Sequence, residues 1–408
     1  MTMSKISNRR QFLAALATGT TSLATAHAFG SIPATATRSA TTPTPHQFII
    51  PPYLQALTPT GVSLLSITSR PAYTWIMYGK EQLSDKAHAV EDGMVQANNT
   101  LSSIRIADLQ PDTVYYYQVI SKEIISFAPY KLEYGEEIKS EIYTFRTPKT
   151  DADTVSALVL NDIHDRPESY ATMFRLAHQL PYEFVVLNGD LFNYQTDEKQ
   201  VIEHLLHPCT ELFASEKPFV LNRGNHETRG RFARNLKQYF DYLEGKYYQA
   251  FRQGPIFWIM LDTGEDKPDD EPVYAGIVDY DNYRKEQATW LEQVMQTKDY
   301  QQAPFKVVVM HIPPFHSGDW HGTLHCRELF SPLFDKYQVD VVLSGHTHRY
   351  GIYKPQPDHT YHIVIGGSPK EGNRTMTHVA ADRKSLTINM IKDDGSNVGT
   401  VALSKKKR

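Results

Sequence analysis

Cysteine is nearly missing: the 408-residue chain holds two. That excludes a disulfide-dense scaffold and any Cys-x-x-Cys zinc knuckle. No His-Glu-x-x-His occurs, which disfavours a metalloprotease. There is no basic excess, with Lys+Arg 42 against Asp+Glu 46; a protein that binds polyanions usually carries one. Apart from a short N-terminal stretch, no apolar run comes near the roughly 20 residues a membrane-spanning helix needs. Internal repeats are absent too. What remains is ordinary globular composition, 41% hydrophobic and 22% charged. At roughly 100–200 residues per domain the length suggests two or three domains. Tyrosine (24) and histidine (17) stand out; the first favours strands, the second ligation and proton transfer.

The opening segment reads as an address. Arg9-Arg10-Gln11-Phe12-Leu13, a mild apolar run from Ala14 to Leu23 and a small-x-small site at Ala26-His27-Ala28 predict a signal peptide over 1–28. The paired arginines resemble a twin-arginine export signal. The expected location is therefore periplasmic or secreted. Removing Lys5, Arg9 and Arg10 with the signal leaves the remainder more acidic, which again argues against a nucleic-acid polymer as partner. Residues 29–46 are rich in Ser, Ala, Thr and Pro and read as a flexible linker.

Residues 47–148 alternate in the manner of strands. Val62, Leu64, Ser66 and Thr68, then Tyr115, Tyr117 and Val119, fall at period two. Leu109-x-Pro111-x-Thr113-x-Tyr115 resembles the tyrosine-corner strand of fibronectin type III domains, so an all-β sandwich is expected here. After Thr150 near-continuous apolar runs alternate with longer amphipathic stretches. The runs are Val155–Leu160, Phe184–Leu187, Phe219–Leu221, Phe257–Leu261, Lys306–Met310, Val339–Leu343 and Tyr361–Ile365. Such strands are buried on both faces, which predicts α/β layering. Ala171–Leu180 and Arg284–Val294 read as helices. The acidic Glu265–Glu271 stretch reads as a solvated loop.

Five of the runs end in residues that can hold a metal. They lead into Asp162-x-His164, Gly189-Asp190, Gly224-Asn225-His226-Glu227, His311 and Gly345-His346-Thr347-His348. Open α/β sheets bind ligands beyond the carboxyl ends of their strands, where residues far apart in sequence converge. Carboxylates and imidazoles crowded there are costly to bury without cations, and with two metals they form a normal N/O site.

These motifs look like the calcineurin-like metallophosphoesterase signature, and with the β-domain in front the chain resembles bacterial relatives of purple acid phosphatases. The resemblance implies an α/β domain over 152–400: a four-layer β-sandwich flanked by helices, preceded by the fibronectin type III-like sandwich. It implies two metal ions (Fe, Mn or Zn). Asp162, His164 and His348 would hold the first, Asn225, His311 and His346 the second, and Asp190 would bridge both. His226 would face a small phosphorylated substrate, and a metal-bridging hydroxide would attack phosphate monoesters. A phosphodiesterase or nucleotide hydrolase with the same site is the alternative enzyme, and a non-catalytic binding protein the alternative of another class. Purple acid phosphatases carry a ligating Tyr three residues after the bridging Asp and Gly in place of His164. Here those positions hold Asn193 and His164, so a colourless enzyme is expected.

Around the site, Arg166 reads first as a surface or structural residue, with a phosphate oxygen as its alternative partner, and His316 and His321 are expected to line the pocket. Glu227 reads equally as an acid that orients a neighbouring imidazole and as a surface or helix-start residue. Arg223, Arg229 and Asp262 read as structural residues, and His204, His207 and Cys209 as a helical surface with no fourth ligand. Whether Cys209 and Cys326 pair stays open.

Overall fold

Strand-forming sequence dominates the first hundred described residues. The computed structural model describes residues 45–405; the signal-peptide segment and nearly all of the linker lie outside them. β1 (Phe48–Thr58), β2 (Gly61–Gly79), β3 (Asp85–Ala87), β4 (Val90–Glu91), β5 (Met94–Val95), β6 (Asn99–Ile106), β7 (Val114–Ala128), β8 (Lys131–Lys139) and β9 (Tyr143–Arg146) follow one another without a helix. The 19-residue β2 organises them. Its first half pairs with β1 and β6, and its second half with β3 and β7. The two halves share a core of Val62, Leu64, Ile76, Ile104, Tyr115, Tyr117 and Phe145. Tyr115 Oη accepts the Gln110 backbone N–H at 2.9 Å, closing the turn before its own strand.

The other face of this β-region is not solvated. Ile50, Tyr53, Leu65 and Ile67 are buried in the same cluster as Leu158, Leu187 and Phe219 of the following segment. Tyr53 Oη donates to the Tyr239 carbonyl at 2.8 Å and Tyr117 Oη to the Ser215 carbonyl at 2.6 Å. The described residues, 45–405, accordingly form one compact unit. Apolar area removed from water, at about 25 cal/mol per Å², holds this contact together, and the buried hydroxyls find acceptors and fix its register.

Then come β10 (Thr154–Leu160), β11 (Phe184–Leu187), β12 (Phe219–Leu221), β13 (Gln249–Gln253), β14 (Ile256–Leu261), β15 (Phe305–Met310), β16 (Val341–Ser344), β17 (Gly351–Tyr353), β18 (His362–Ile365), β19 (Thr375–Asp382), β20 (Ser385–Lys392) and β21 (Asn397–Ser404). They build two six-stranded sheets, ordered β12-β11-β10-β19-β20-β21 and β13-β14-β15-β16-β18-β17. β10–β12 are parallel to one another, as are β14, β15, β16 and β18. Alternation decides the layers. Val155, Ala157 and Val159 meet Trp258, Met260, Val307 and Val309 between the sheets. Leu158 and Leu160 turn outward to the helix Glu168–Ala177 and the helical segment 198–214. Ile259, Leu261, Val308 and Met310 turn outward to the helices Tyr280–Met295 and His321–Lys336. The result is helix, sheet, sheet, helix, mixed α/β and rich in strand. Both expected helices are present within a few residues, and each of the seven expected strands overlaps an observed one. Among the described residues no helix is long and apolar enough to cross a membrane.

Candidate metal centre

The strand ends after β10, β11, β12, β15 and β16 meet at one edge of the two sheets. Each chain must turn sharply there, and the backbone records it: Asp162, His164, Asp190, His346 and His348 all have φ between 49° and 74°. Left-handed backbone at residues other than glycine costs about 1–3 kcal/mol each and persists only where the surroundings hold it. Here they do. The Asp162, His164 and Asp165 N–H groups donate to the carbonyls of Gly189, Asp190 and Leu191 at 2.9–3.0 Å. Gly189, at φ 81°, has no room for a side chain, because a Cβ would collide with the backbone of Gly224.

Two groups of side chains result. Asp162, His164, Asp190 and His348 bring ligand atoms within 4.8 Å of one another, and so do Asp190, His311 and His346. Asp190 belongs to both. Asn225 Oδ1 lies 3.0 Å from His346 Nδ1, which puts the amide in the second group. His226 Nε2 is 3.9 Å from Asp190 Oδ2. All seven residues expected to hold metal, and His226 beside them, therefore lie together. Asp162, Asp190, Asn225 and His311 are buried, while the His348 side chain is 43% exposed and that of His226 24%. The cluster opens to solvent on the His226–His348 side.

The electrostatics follow from that crowding. Burial works against the charged Asp162, yet His164 and His348 overrule it and hold the carboxyl at about 2. Asp190 is likewise driven below the carboxylate range, against burial, by His311. Burial opposes the charged His311, but Asp190 and Asp162 raise it to about 10. Burial and the nearby His311 press His346 down to about 4. Burial, aided by Arg229, also lowers His226 although Asp190 opposes them.

The donors suit two cations. His311 Nδ1 is engaged by the Asn188 carbonyl at 2.7 Å, so Nε2 is aimed at the cluster. That atom is buried without a hydrogen bond, 2.9 Å from Asp190 Oδ2. His164 and His348 face each other Nε2 to Nε2 at 2.9 Å. Carboxylate and imidazole donors converging in this way form a mixed N/O set, and partners on the far ring nitrogens are the usual orienting device.

Glu227 does not take the imidazole-orienting role. It is fully buried, and it holds backbone instead. Its carboxylate accepts the N–H groups of Asp190 and Leu191 at 2.7 Å, Gly224 at 2.8 Å and Phe192 at 3.4 Å, locking the Asp190 turn to the Asn225 turn. Glu227→Ala would leave these donors without an acceptor. At about 1–3 kcal/mol per unpaired buried group, a loss of about 3 kcal/mol or more is expected. A urea midpoint within error of wild type, at unchanged slope, would contradict it.

The acidic loop also differs from expectation at its start. Glu265 is buried and pairs with Arg229 through two bonds of 2.8 and 2.9 Å. Arg229 Nη1 in turn lies 3.1 Å from His226 Nε2. Arg229 is thus structural as expected, while its buried partner and its place beside His226 were not legible in advance, although the three-residue spacing of His226 and Arg229 hints at the second. Arg223 pairs with Asp262 and lies 4.2 Å over the Tyr247 ring, a structural pair as expected. Arg166 is exposed, two residues after His164. His321 instead meets Asp281 at 2.7 Å, and His316 stacks on Tyr353 at 3.7 Å. His204 pairs with Asp165, His207 with Glu211, and Cys209 is buried. Cys209 and Cys326 are free thiols in different cores.

The chain is similar to known proteins over part of its length. Residues 155–350 match the calcineurin-like phosphoesterase family. Purple acid phosphatase 22 of Arabidopsis thaliana is 26% identical over 288 residues, covering 66% of this chain and 59% of its own length. Purple acid phosphatase 1 of Ipomoea batatas is 24% identical over 271 residues, covering 64% and 53%. The chain thus spans little more than half the length of these relatives. A purple acid phosphatase from yellow lupin (Lupinus luteus) seeds shares the fold with a TM-score of 0.64 at 15% identity, over 86% of this chain and 74% of that one.

Proposed function

We propose that this calcineurin-like metallophosphoesterase, purple-acid-phosphatase-like in relatives and fold, is an exported metal-dependent phosphoric ester hydrolase acting on phosphate monoesters. The observation that carries the reading is the pair of ligand groups sharing Asp190. Asp162, His164 and His348 would hold one cation and Asn225, His311 and His346 the other. Two such cations supply charge neutralisation at the phosphoryl oxygens and acidification of water, which is most of what phosphoryl transfer requires.

The chain's own residues do the rest. The exposed side of the cluster, rimmed by His226 and His348, admits the phosphoryl group. His226 Nδ1 is engaged by the Asn193 carbonyl at 2.6 Å, which turns Nε2 toward Asp190 and the opening. In the imidazolium form, with a second proton on Nε2, the ring donates from there to a phosphoryl oxygen or passes that proton to the leaving oxygen and returns to the neutral Nδ1–H form. Arg166 supplies a forked donor at the surface beside His164. In the β-region, the Tyr115–Gln110 bond supports the fibronectin type III-like reading of 47–148, ahead of the phosphoesterase domain at 152–400. Export rests on the twin-arginine pattern of 1–28.

The test is direct: purify the protein, measure bound metal, and compare a phosphate monoester with a diester across Fe, Mn and Zn. Turnover of the monoester is expected to exceed that of the diester. Diester preference would favour the phosphodiesterase reading, and neither metal nor turnover the binding-protein reading. The metal-loaded protein is expected to lack a strong visible band, because Asn193 stands where a ligating Tyr would be and Tyr194 is 57% exposed. An intense visible absorption from a ferric form would contradict that.

A further inference from the structure

Asn193 lies outside the ligand set, yet both exposed-side imidazoles lean on it. Its Oδ1 is 3.2 Å from His164 Nδ1. Its backbone carbonyl is 2.6 Å from His226 Nδ1. The two rings stand 4.7 Å apart at 82°, one edge against the other's face. A proton on each Nδ1, given to these oxygens, leaves both Nε2 atoms directed into the cluster. His164 Nε2 then sits 2.9 Å from His348 Nε2 and 3.7 Å from Asp190 Oδ2.

Asn193 is itself exposed and sits in a turn, so something must hold it. Its N–H donates to Asp165 Oδ2 at 2.8 Å. The other oxygen of Asp165 receives Gln200 Nε2 at 2.9 Å and His204 Nδ1 at 2.7 Å, both from the helical segment that begins at Glu198. Asp165 also has left-handed backbone, φ 57°, pinned by its N–H to the Leu191 carbonyl. An unbroken hydrogen-bonded line therefore runs from that segment through Asp165 and Asn193 to His164 and His226.

We infer that Asn193 is the positioning residue of this centre: its side chain orients His164 toward the first metal, its carbonyl orients His226 toward substrate, and Asp165 anchors it. The inference rests on the dinuclear reading of the site. It separates two functions in one residue. Truncating the side chain removes only the hold on His164, whereas loosening the backbone through Asp165 disturbs His226.

The test uses the full chain, stripped by chelator and titrated with Zn²⁺ alone. Asn193→Ala is expected to weaken one of the two Zn²⁺ sites by about 10–100-fold, the usual effect of losing a ligand's orienting partner, with the other unchanged. Asn193→Asp keeps an acceptor oxygen and is expected to restore the weakened site. Asp165→Asn, at saturating Zn²⁺, is expected to keep both ions while kcat on a monoester falls and KM holds. Urea midpoints serve as the folding check; where Asn193→Ala fails it, Asn193→Ser takes its place. Two Zn²⁺ sites of wild-type affinity in the truncated variant would overturn the inference, and so would equal weakening of both. A wild-type protein that binds two Zn²⁺ and hydrolyses no ester would defeat the proposed function and leave the affinity test standing.

Discussion

Asp190→Asn is expected to cost the protein both cations at once and to reduce ester hydrolysis by about 10³-fold or more, to the level of chelated enzyme. The reason is geometric. Asp190 is the one residue common to the two ligand groups. Its Oδ2 faces His311, His164 and His226 at 2.9, 3.7 and 3.9 Å. The substitution keeps the shape and an acceptor for the His226 N–H, which Oδ1 now takes at 3.0 Å, so the fold has little to lose. What goes is a buried negative charge that would offset two positive ions. Asp162→Asn is the contrast, because Asp162 touches only the first group: one cation is expected to remain. Metal content by elemental analysis distinguishes the two variants without any assay. Two ions retained by Asp190→Asn would remove Asp190 from the bridging role.

His226→Ala is expected to lower kcat by about 10²–10⁴-fold, the range for a positioned proton donor, with metal content unchanged. The side chain lies outside both ligand groups, and its Nδ1 is spent on the Asn193 carbonyl. The substrate's leaving group decides which of its two proposed duties dominates. A donor to the leaving oxygen matters most for a poor leaving group, so the loss should be larger for an alkyl phosphate than for a nitrophenyl phosphate. A phosphoryl-binding role gives equal losses. Full activity in the alanine variant would exclude both. Arg229 belongs in the same experiment, since its Nη1 lies 3.1 Å from His226 Nε2 while Glu265 holds the rest of the guanidinium.

Much of this site is written in the order of residues. Apolar runs mark the strands, because strands buried on both faces admit little else. The polar residues that follow closely on each run mark the edge where parallel strands end. That simple rule places Asp162, Asp190, Asn225, His311 and His346 in one region before any coordinate is known. The residues that support them carry no such mark. Glu227 serves backbone amides of a turn 36 residues earlier. Glu265 reads as solvent-loving and is buried because Arg229 meets it. His316 and His321 follow a ligand in sequence but find other partners, since the loop after His311 leads into the helix beginning at His321.

The β-region divides in the same way. Alternation and the Leu-x-Pro-x-Thr-x-Tyr turn foretell its strands, because a period of two is local and each strand declares its own faces. They do not foretell that Ile50, Tyr53, Leu65 and Ile67 turn to the neighbouring α/β core, for a face that is apolar in sequence does not name what covers it. So the sequence alone marked seven of the twelve strands after residue 150, two of the helices, the α/β layering and the chemistry presented at strand ends, all of it set by short-range pattern. Tertiary structure alone decided which acids hold backbone, which arginine stands by His226, and that one asparagine serves two imidazoles. Those contacts join residues dozens of positions apart, and only packing brings such groups within the three ångströms at which a hydrogen bond acts.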